Sequence, residues 1–326
     1  MDRHYIGAAV TDAIHTPVLL EETIRYLAPR GGEELMVDAT MGEGGHSHAF
    51  LSRFPELRII GIDADPAIQA RARERFGEFG DRVHFHSGWA QEFFAEYPAA
   101  LKRPDLILID LGISLFHYEQ SGRGFSFRKD EVLDMRLDTR DGPTAAELLA
   151  RLPEGELADL IYRNGEERFS RRIARALCEA RSRSPVRSSA QLAELVERAV
   201  LAKNRYGPIH PATRTFQALR IAVNGELSRL PDLLEGSLRV LEPGGRLGII
   251  TFHSLEDRIV KNFFREKNKD CTCPPEAPIC RCEGRRAVNL LTRKGLTPSA
   301  EEIAGNLSSR SARLRVVEKI LDEDGQ

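Results

Sequence analysis

Two aspartates and the glycine-rich turn between them have the spacing of a site that binds a nucleotide-like ligand. Asp38 ends the short apolar run 35–37, and Asp63 ends a second apolar run, 59–62. The turn after Asp38 contains Gly42, Gly44 and Gly45. Glycine lets the backbone approach a ligand and take positive φ, and an acid that ends the second strand is placed to accept hydrogen bonds from ribose hydroxyls. The pattern therefore predicts a nucleotide-type binding unit.

The glycine spacing separates this turn from the usual dinucleotide-binding fingerprint. The turn has the form Asp38-x-x-x-Gly42-x-Gly44-Gly45, whereas the fingerprint is G-x-G-x-x-G. An acid before the glycines and a ribose partner after them suit S-adenosylmethionine at least as well as NAD. A tight turn without any ligand is the structural alternative, because many turns between a strand and a helix contain glycine.

Apolar runs that alternate with helix-like segments predict a parallel sheet that positions these acids. Three predicted strands end in Asp38, Asp63 and Asp110, and open α/β folds bind their ligands at the carboxyl ends of the strands. A glycine-containing turn leads into a further strand that ends just before His253. The predicted strands are 35–38, 59–63, 83–86, 106–110 and 247–252, followed by an antiparallel pair, 288–291 and 314–318.

Capping signals predict the starts of two helices. Thr16-Pro17 has the form of a helix start, in which threonine caps and proline takes the first helical position. Ser254 would cap a second helix, 255–267, with Asp257 three residues later approximating a capping box. Capping explains the acids of this segment but does not readily explain His253, which makes His253 a candidate for chemistry.

Between residues 115 and 209 the strand pattern stops and helix-like segments replace it, at 144–152, 154–163, 168–181 and 189–201. Seven arginines make this region basic, which fits either a solvated helix face or a surface that contacts phosphates. The arginines are Arg168, Arg171, Arg172, Arg175, Arg181, Arg183 and Arg187.

A helix over 213–224 carries an apolar stripe and a polar stripe, and the polar stripe is either a solvent face or a functional contact. The polar stripe consists of Thr213, Gln217, Arg220 and Asn224.

Charge and composition limit the classes of function. The 326 residues carry 47 basic and 49 acidic side chains, a net charge of −2, so any RNA contact must come from a local patch. No apolar run approaches the roughly 20 residues needed to span a bilayer, and no signal-peptide core is evident, so we expect a cytoplasmic protein. Four of the five cysteines are clustered, as Cys271, Cys273, Cys280 and Cys282. They suit either a tetrahedral zinc site or a loop of reduced cysteines.

Nine short motifs span nearly the whole chain. They are His15-Thr-Pro-Val-Leu-Leu20, Asp38-Ala-Thr-Met-Gly-Glu-Gly-Gly-His46, Asp110-Leu-Gly-Ile-Ser114, Arg123-Gly-Phe-Ser-Phe127, Leu133-Asp-Met-Arg136, Gly165-Glu-Glu-Arg-Phe169, His210-Pro-Ala-Thr-Arg-Thr-Phe-Gln217, Phe252-His-Ser-Leu-Glu-Asp-Arg258 and Ser309-Arg-Ser-Ala-Arg-Leu-Arg315. In this order, the set resembles the bacterial 16S ribosomal RNA cytosine-N4 methyltransferases, which modify a decoding-centre cytidine. Each motif alone is unspecific, whereas the ordered set is highly specific.

The resemblance implies an α/β fold, a Rossmann-like class I methyltransferase core with an inserted all-helical domain. The core would comprise residues 10–114 and 210–322, and the insert, 115–209, would recognise the RNA substrate. The resemblance also implies S-adenosylmethionine as the methyl donor. By position, the contacts of this cofactor fall on Gly44, Gly45, His46, Asp63, Trp89, Asp110 and His117. Trp89 and His117 stand where the family more often has phenylalanine and glutamine.

The implied reaction is methylation of the exocyclic N4 of a cytidine in 16S rRNA, with the assembled small ribosomal subunit as the favoured substrate. The lone pair of this amine is delocalised into the ring, so the enzyme must orient the amine and accept hydrogen bonds from its protons. Asp110 and His253 are the candidate acceptors. RNA contacts are expected from Arg168, Arg171, Arg172, Thr213, Arg214 and Gln217.

Three other functions fit parts of the pattern. A methyltransferase for a small molecule or a protein would share the core but would not need a large basic insert. A non-enzymatic RNA-binding protein with a degenerate cofactor fold would not need the intact glycines and Asp63. A dehydrogenase would use a related fold, and affinity for NAD rather than for S-adenosylmethionine would identify it.

Overall fold

One mixed sheet forms the centre of the computed structural model, which describes residues 16–200, 210–271, 273 and 286–320. Its strands are β1 (Leu35–Asp38), β2 (Arg58–Asp63), β3 (Val83–Ser87), β4 (Leu106–Asp110), β5 (Arg246–Thr251), β6 (Val288–Leu290) and β7 (Arg313–Lys319). Their spatial order is β3-β2-β1-β4-β5-β7-β6. Neighbouring strands from β3 to β5 are parallel, whereas β7 is antiparallel to β5 and β6. This order confirms the predicted Rossmann-like α/β fold.

Helices surround the sheet and fill the long connection between β4 and β5. They are α1 (Leu20–Leu27), α2 (Gly45–Arg53), α3 (Pro66–Arg75), α4 (Ala90–Ala95), α5 (Leu115–Glu119), α6 (Ala145–Arg151), α7 (Glu154–Gly165), α8 (Ser170–Arg181), α9 (Ser189–Ala199), α10 (Thr213–Asn224), α11 (Glu226–Val240), α12 (Ser254–Lys267) and α13 (Ala300–Gly305). Within the described ranges, no helix has both the length and the apolar character needed to cross a membrane.

Alternate residues of each strand pack on opposite faces of the sheet. One face carries Val37, Ile107 and Ile249 and is covered by α4, α11 and α12. The other face carries Met36 and Leu108 and is covered by α1 and α2. Because both faces are buried, the sheet is a rigid platform, and the side chains at the carboxyl ends of its strands have fixed relative positions.

The helices between β4 and β5 form an apolar cluster of their own. Leu157 of α7, Ile173 of α8 and Leu192 of α9 are fully buried in this cluster. Phe216 and Leu219 of α10 belong to the same cluster, which confirms that the apolar stripe of this helix is core. Helix α10 therefore packs directly against the helices that precede it.

The predicted start of the first helix is wrong. Helix α1 begins at Leu20, the preceding Leu19 is left-handed with φ 54°, and Thr16-Pro17 lies outside the helix. Leu19 is fully buried, and its N–H donates to Oε1 of Glu302 at 2.8 Å. Tertiary contacts rather than a local cap therefore determine where this helix begins.

Candidate active site

The strand order reverses between β1 and β4, and two of the predicted acids lie at that point. Asp38 ends β1, Asp110 ends β4, and these strands are parallel neighbours. Ligands of open α/β folds bind at such a switch point, outside the carboxyl ends of the strands. The glycine turn leaves β1 at the same edge and leads into α2. The structure thus brings Asp38, the turn and Asp110 together.

Both backbone conformation and packing require glycine in this turn. Gly42 and Gly44 have φ values of +55° and +77°, which favour glycine. A side chain at Gly44 would collide with the ring of Phe76, and a Cβ on Gly45 would lie 2.6 Å from Cγ of Pro17. Packing therefore explains these glycines in part, and the contacts of Gly44 and Gly45 with a cofactor stay a prediction.

Asp63 holds the glycine turn from the end of β2. Its Oδ2 accepts the N–H of Gly42 at 2.8 Å, and its Oδ1 accepts the N–H of Asp65 at 2.9 Å. Burial raises the pKa of Asp63, although the two backbone donors act in the opposite direction. A carboxylate has about four acceptor sites. Asp63 therefore retains capacity to accept hydrogen bonds from a ligand while it fixes the turn.

His46, in the first turn of α2, lies beside the end of β4. Its Nε2 is 3.0 Å from the carbonyl oxygen of Val18, and its Nδ1 is 3.7 Å from Oδ2 of Asp110. Oδ1 of Asp110 accepts the N–H of Gly112 at 2.9 Å. The side chain of Asp110 is 21% exposed, so its carboxylate is accessible to a ligand.

Burial raises the pKa of both acids at the switch point. The pKa of Asp38 rises to about 6, although the hydroxyl of Ser47 donates to its Oδ2 at 2.6 Å. The pKa of Asp110 also rises to about 6, although it accepts the N–H of Gly112. Strongly shifted carboxyl groups are concentrated at functional sites, so this edge is the strongest candidate for chemistry.

We expect Asp110→Asn to stabilise the folded protein at neutral pH. Since the folded state raises the pKa from 3.8 to about 6, the free energy of unfolding falls as the pH rises through this interval. Removal of the charge should raise that free energy by up to about 3 kcal/mol at neutral pH, and by roughly half as much near pH ~5. Urea titrations at the two pH values measure this difference. The exposed Asp81 provides a control, Asp81→Asn, and a destabilised Asp110→Asn would contradict the expectation.

His117 belongs to a buried polar network that the sequence analysis missed. Its Nε2 is 2.9 Å from Oδ2 of Asp65, and Arg123 donates to the same oxygen. These partners hold the pKa of Asp65 below its usual range even though burial acts to raise it. Nδ1 of His117 is buried and has no hydrogen-bond partner within the described residues. An unpaired buried polar atom costs about 1–3 kcal/mol, so a bound ligand that pairs with it would be stabilised.

Trp89 lies just beyond β3 and precedes α4. It is half-buried, and the guanidinium of Arg229 lies 4.3 Å from the centre of its ring. Nearby, the N–H of Gly88 donates to the carbonyl oxygen of Asp63 at 2.9 Å, which ties this segment to the end of β2. Since the arginine covers one face of the indole, a ligand ring would have to contact the other face.

His253 caps α12, so the predicted cap at Ser254 is wrong. Nδ1 of His253 accepts the N–H of Glu256 at 3.4 Å, and Oε2 of Glu256 accepts the N–H of His253 at 3.3 Å. Ser254 is the first helical residue, and Asp257 binds Arg315 through two hydrogen bonds. Capping therefore explains Nδ1 of His253, and its Nε2 lies 3.0 Å from Oε1 of Glu256.

Glu226, His253 and Glu256 bring possible metal ligands within 4.8 Å of one another. However, both carboxylate oxygens of Glu226 already accept hydrogen bonds from Arg220, at 2.9 and 2.8 Å. Burial acts to lower the pKa of Arg220, but Glu226 and Tyr118 raise it well above its ordinary value. The arginine therefore supplies the positive charge that balances this cluster.

The predicted RNA-contacting arginines differ in their surroundings. Arg171 donates to Oδ1 of Asp159 at 2.7 Å, so it is part of an ion pair. Arg168 and Arg172 are exposed and have no carboxylate partner in the part of the chain that the structure describes. Arg214 is exposed and donates to the carbonyl oxygen of Glu166 at 3.2 Å.

The remaining polar candidates on α10 are less accessible. Thr213 and Gln217 are half-buried, and Nε2 of Gln217 donates to the carbonyl oxygen of Asn164 at 3.3 Å. The side chain of Asn224 is fully engaged, since it binds the N–H of Leu137 and the carbonyl oxygen of Met135. Most of the polar stripe thus joins α10 to its neighbours, which the sequence analysis left open.

The zinc prediction falls largely outside the described residues. Cys271 is exposed, Cys273 is half-buried, and the N–H of Cys273 donates to Sγ of Cys271 at 3.4 Å. Cys280 and Cys282 lie outside the described residues. A zinc site and a loop of reduced cysteines both stay open.

Comparisons with known proteins give consistent results. Residues 12–320 match the model of the MraW methylase family. A protein from Treponema denticola named ribosomal RNA small subunit methyltransferase H is 56% identical over 307 residues, which cover 94% of this chain and 98% of that protein. Proteins with the same name from Syntrophobacter fumaroxidans and Treponema pallidum are 48% and 45% identical, again over 94% of this chain and over 96% and 92% of their own lengths.

Proposed function

The chain belongs to the MraW methylase family, and from that premise we propose that it methylates the exocyclic N4 of a cytidine in the decoding region of 16S rRNA. The methyl donor is S-adenosylmethionine. The likeness to the rRNA methyltransferases spans 94% of this chain, so it includes both the sheet and the helices between β4 and β5. The observation that carries the proposal is the switch-point site, where Asp38, Asp110, His46 and the glycine turn lie together.

When bound, S-adenosylmethionine supplies a methyl group on a positively charged sulfonium. We propose that it is held by Gly44, Gly45, His46, Asp63, Trp89, Asp110 and His117. Three features of this edge fit it. Asp63 offers acceptors to ribose hydroxyls, and the acids of the edge suit a cation. Nδ1 of His117 is a buried polar atom without a hydrogen-bond partner among the residues that the structure describes.

Asp110 is the first candidate for the group that accepts a proton of the cytosine amine. Its carboxylate is accessible, and with a pKa of about 6 it is mostly ionised at neutral pH. The amine becomes acidic as it acquires the methyl group, so an acceptor of this strength suffices and a strong base is unnecessary. His253 ranks second as an acceptor. Its Nδ1 is already used to cap α12, so only Nε2 could accept a proton, and this atom lies beside Glu256.

The substrate is RNA, and we propose that it is 16S rRNA within the assembled small subunit. With a net charge of −2, the protein gains little general electrostatic attraction to RNA. We therefore propose that contacts with the folded surface of the assembled subunit supply the binding affinity that overall charge does not. We propose that residues 115–209 form the RNA-recognising insert of a core made of 10–114 and 210–322, in the cytoplasm. The proposed preference for the assembled subunit is tested by comparing methyl incorporation into protein-free 16S rRNA with incorporation into small subunits. Equal incorporation would contradict it.

The separate test of the cofactor is calorimetric titration of the protein with S-adenosylmethionine and with NAD. We expect binding of the first and none of the second, and the reverse would identify a dehydrogenase. A protein that binds S-adenosylmethionine but transfers no methyl group to RNA would instead favour a small-molecule or protein substrate.

We expect the double substitution Arg168→Ala, Arg172→Ala to weaken RNA binding. Both guanidinium groups lack a carboxylate partner in the described part of the chain, so they are available to phosphates. The slope of log K against log salt should become shallower by about 2, one for each lost phosphate contact. Fluorescence anisotropy with a labelled decoding-region RNA at several salt concentrations measures this slope.

The matched control is Arg171→Ala, which lies next to Arg172 in the first turn of α8. Asp159 already neutralises this arginine, so its loss should change the slope by less than either neighbour does. If single alanine variants of all three arginines change the slope equally, the ion pair with Asp159 does not distinguish Arg171 from the other two. That result would contradict the proposed phosphate contacts of Arg168 and Arg172.

A further inference from the structure

Glu166, directly after α7, has a backbone conformation that normally favours glycine. Its φ and ψ are 49° and 34°, in the left-handed region. The other non-glycine residues with positive φ in the described chain are Leu19 and Met135, and both are fully buried. Packing holds those two residues, whereas the side chain of Glu166 is 48% exposed. Some other interaction of Glu166 must account for a strained residue at this position.

The side chain of Glu166 binds the beginning of α12. Its Oε2 accepts a hydrogen bond from the hydroxyl of Ser254 at 2.7 Å, and its Oε1 accepts one from Arg258 at 3.0 Å. Hydrogen bonds from Ser254 and Arg258 hold the pKa of Glu166 below its usual range, so it is ionised at neutral pH. The carboxylate therefore joins the end of α7 to the first two turns of α12.

The backbone around Glu166 binds α10. Its carbonyl oxygen accepts a hydrogen bond from Arg214 at 3.2 Å. The preceding residue, Gly165, packs so closely on α10 that a side chain there would collide with the carbonyl oxygen of Arg214. The ends of α7, α10 and α12 thus meet at Glu166.

The start of α12 leads directly to the proposed acceptor. Ser254 follows His253, and Phe252 before it packs on Gly112, where an added Cβ would lie 2.7 Å from the ring. Gly112 in turn donates its N–H to Oδ1 of Asp110 at 2.9 Å. A short series of direct contacts therefore connects Glu166 to the end of β4.

We propose that Glu166 is a positioning residue for methyl transfer, an inference that rests on the proposed function. Its carboxylate fixes the first turn of α12, and its carbonyl oxygen fixes Arg214, one of the predicted RNA contacts. These contacts thereby fix the position of Asp110 and His253 relative to RNA that is bound by α10 and by the helices between β4 and β5. An exposed ion pair adds little to folding stability, so the carboxylate should affect the reaction more than the fold.

The decisive variant is Glu166→Gly, because glycine relieves the strain of the left-handed conformation while it removes the carboxylate. We expect its melting temperature to be unchanged or raised and its affinity for S-adenosylmethionine to stay within about twofold. The kcat for methylation of small subunits should fall by about 10- to 100-fold, since a small misplacement of reacting groups has an effect of this size. Glu166→Gln keeps one acceptor oxygen and should lie between Glu166→Gly and the unmodified protein.

The matched control is Glu154→Ala at the other end of α7, which removes an exposed ion pair with Arg175 and should leave kcat unchanged. A Glu166→Gly variant with full kcat would overturn the proposal. The proposal would also be overturned if activity fell only in proportion to a lower melting temperature or to weaker cofactor binding, because such a result indicates a structural role. If the unmodified protein itself methylates no RNA, the proposed function fails instead, and the two failures are distinguishable.

Discussion

Replacement of Asp110 by asparagine should lower the rate of methyl transfer by about 100- to 10,000-fold, the range expected for loss of a positioned proton acceptor. Asparagine has nearly the same shape and can still accept the N–H of Gly112 that Asp110 binds at 2.9 Å. However, it carries no charge to stabilise the amine as its proton leaves. Affinity for S-adenosylmethionine should fall much less than the rate, because one acceptor oxygen remains and the neighbouring Asp38 still offers a carboxylate to the cation. Single-turnover assays with saturating cofactor measure the chemical step.

The pH dependence identifies the carboxylate. The acceptor must be ionised, and burial raises the pKa of Asp110 to about 6. Activity of the unmodified protein should therefore fall as the pH drops below ~6, and this limb should be absent from the residual activity of Asp110→Asn. Burial gives Asp38 a similar pKa. A limb that persists in Asp110→Asn would transfer the role to Asp38, and full activity of Asp110→Asn would exclude Asp110.

Replacement of Asp63 by alanine should weaken binding of S-adenosylmethionine by about 100-fold or more. The substitution removes the predicted ribose acceptor and also leaves the N–H groups of Gly42 and Asp65 without the partners that lie at 2.8 and 2.9 Å. Each lost or unpaired hydrogen bond of this kind costs about 1–3 kcal/mol, and about 1.4 kcal/mol is tenfold in affinity. Equilibrium titration with the cofactor measures the loss.

Two variants control for damage to the turn. Asp63→Asn keeps one acceptor oxygen and should bind S-adenosylmethionine more tightly than Asp63→Ala does. Asp81→Ala removes an exposed acid just before the amino end of β3, away from the proposed site, and should leave this affinity unchanged. A melting curve establishes that each variant is folded. Wild-type affinity in a folded Asp63→Ala would remove the cofactor site from this edge.

The strands and the acids that end them were predictable from sequence for a physical reason. A parallel strand buried on both faces is a short continuous apolar run, and Asp38, Asp63 and Asp110 mark where each run meets the open edge. Helix α11 was not predicted, and Pro231 in its interior is a residue that locally disfavours a helix. Burial of Leu234 and its neighbours against the sheet outweighs that local preference.

The polar network around the site was less predictable, because its partners are distant in sequence. Asp65 caps α3, yet it also binds His117 and Arg123, which are 52 and 58 residues away. His253 was singled out because capping did not explain it, whereas it is itself the cap of α12. Local rules indicate which residues can cap or bind, but tertiary contacts decide which of them do.

The most direct test of the central claim is to identify the nucleoside that gains a methyl group. Small ribosomal subunits that lack the modification are incubated with isotope-labelled S-adenosylmethionine and the protein, and the 16S rRNA is then digested to nucleosides and analysed by mass spectrometry. We predict N4-methylcytidine at close to one per subunit, arising from the decoding region. Label on any other nucleoside, or none in the RNA, would contradict the proposed function.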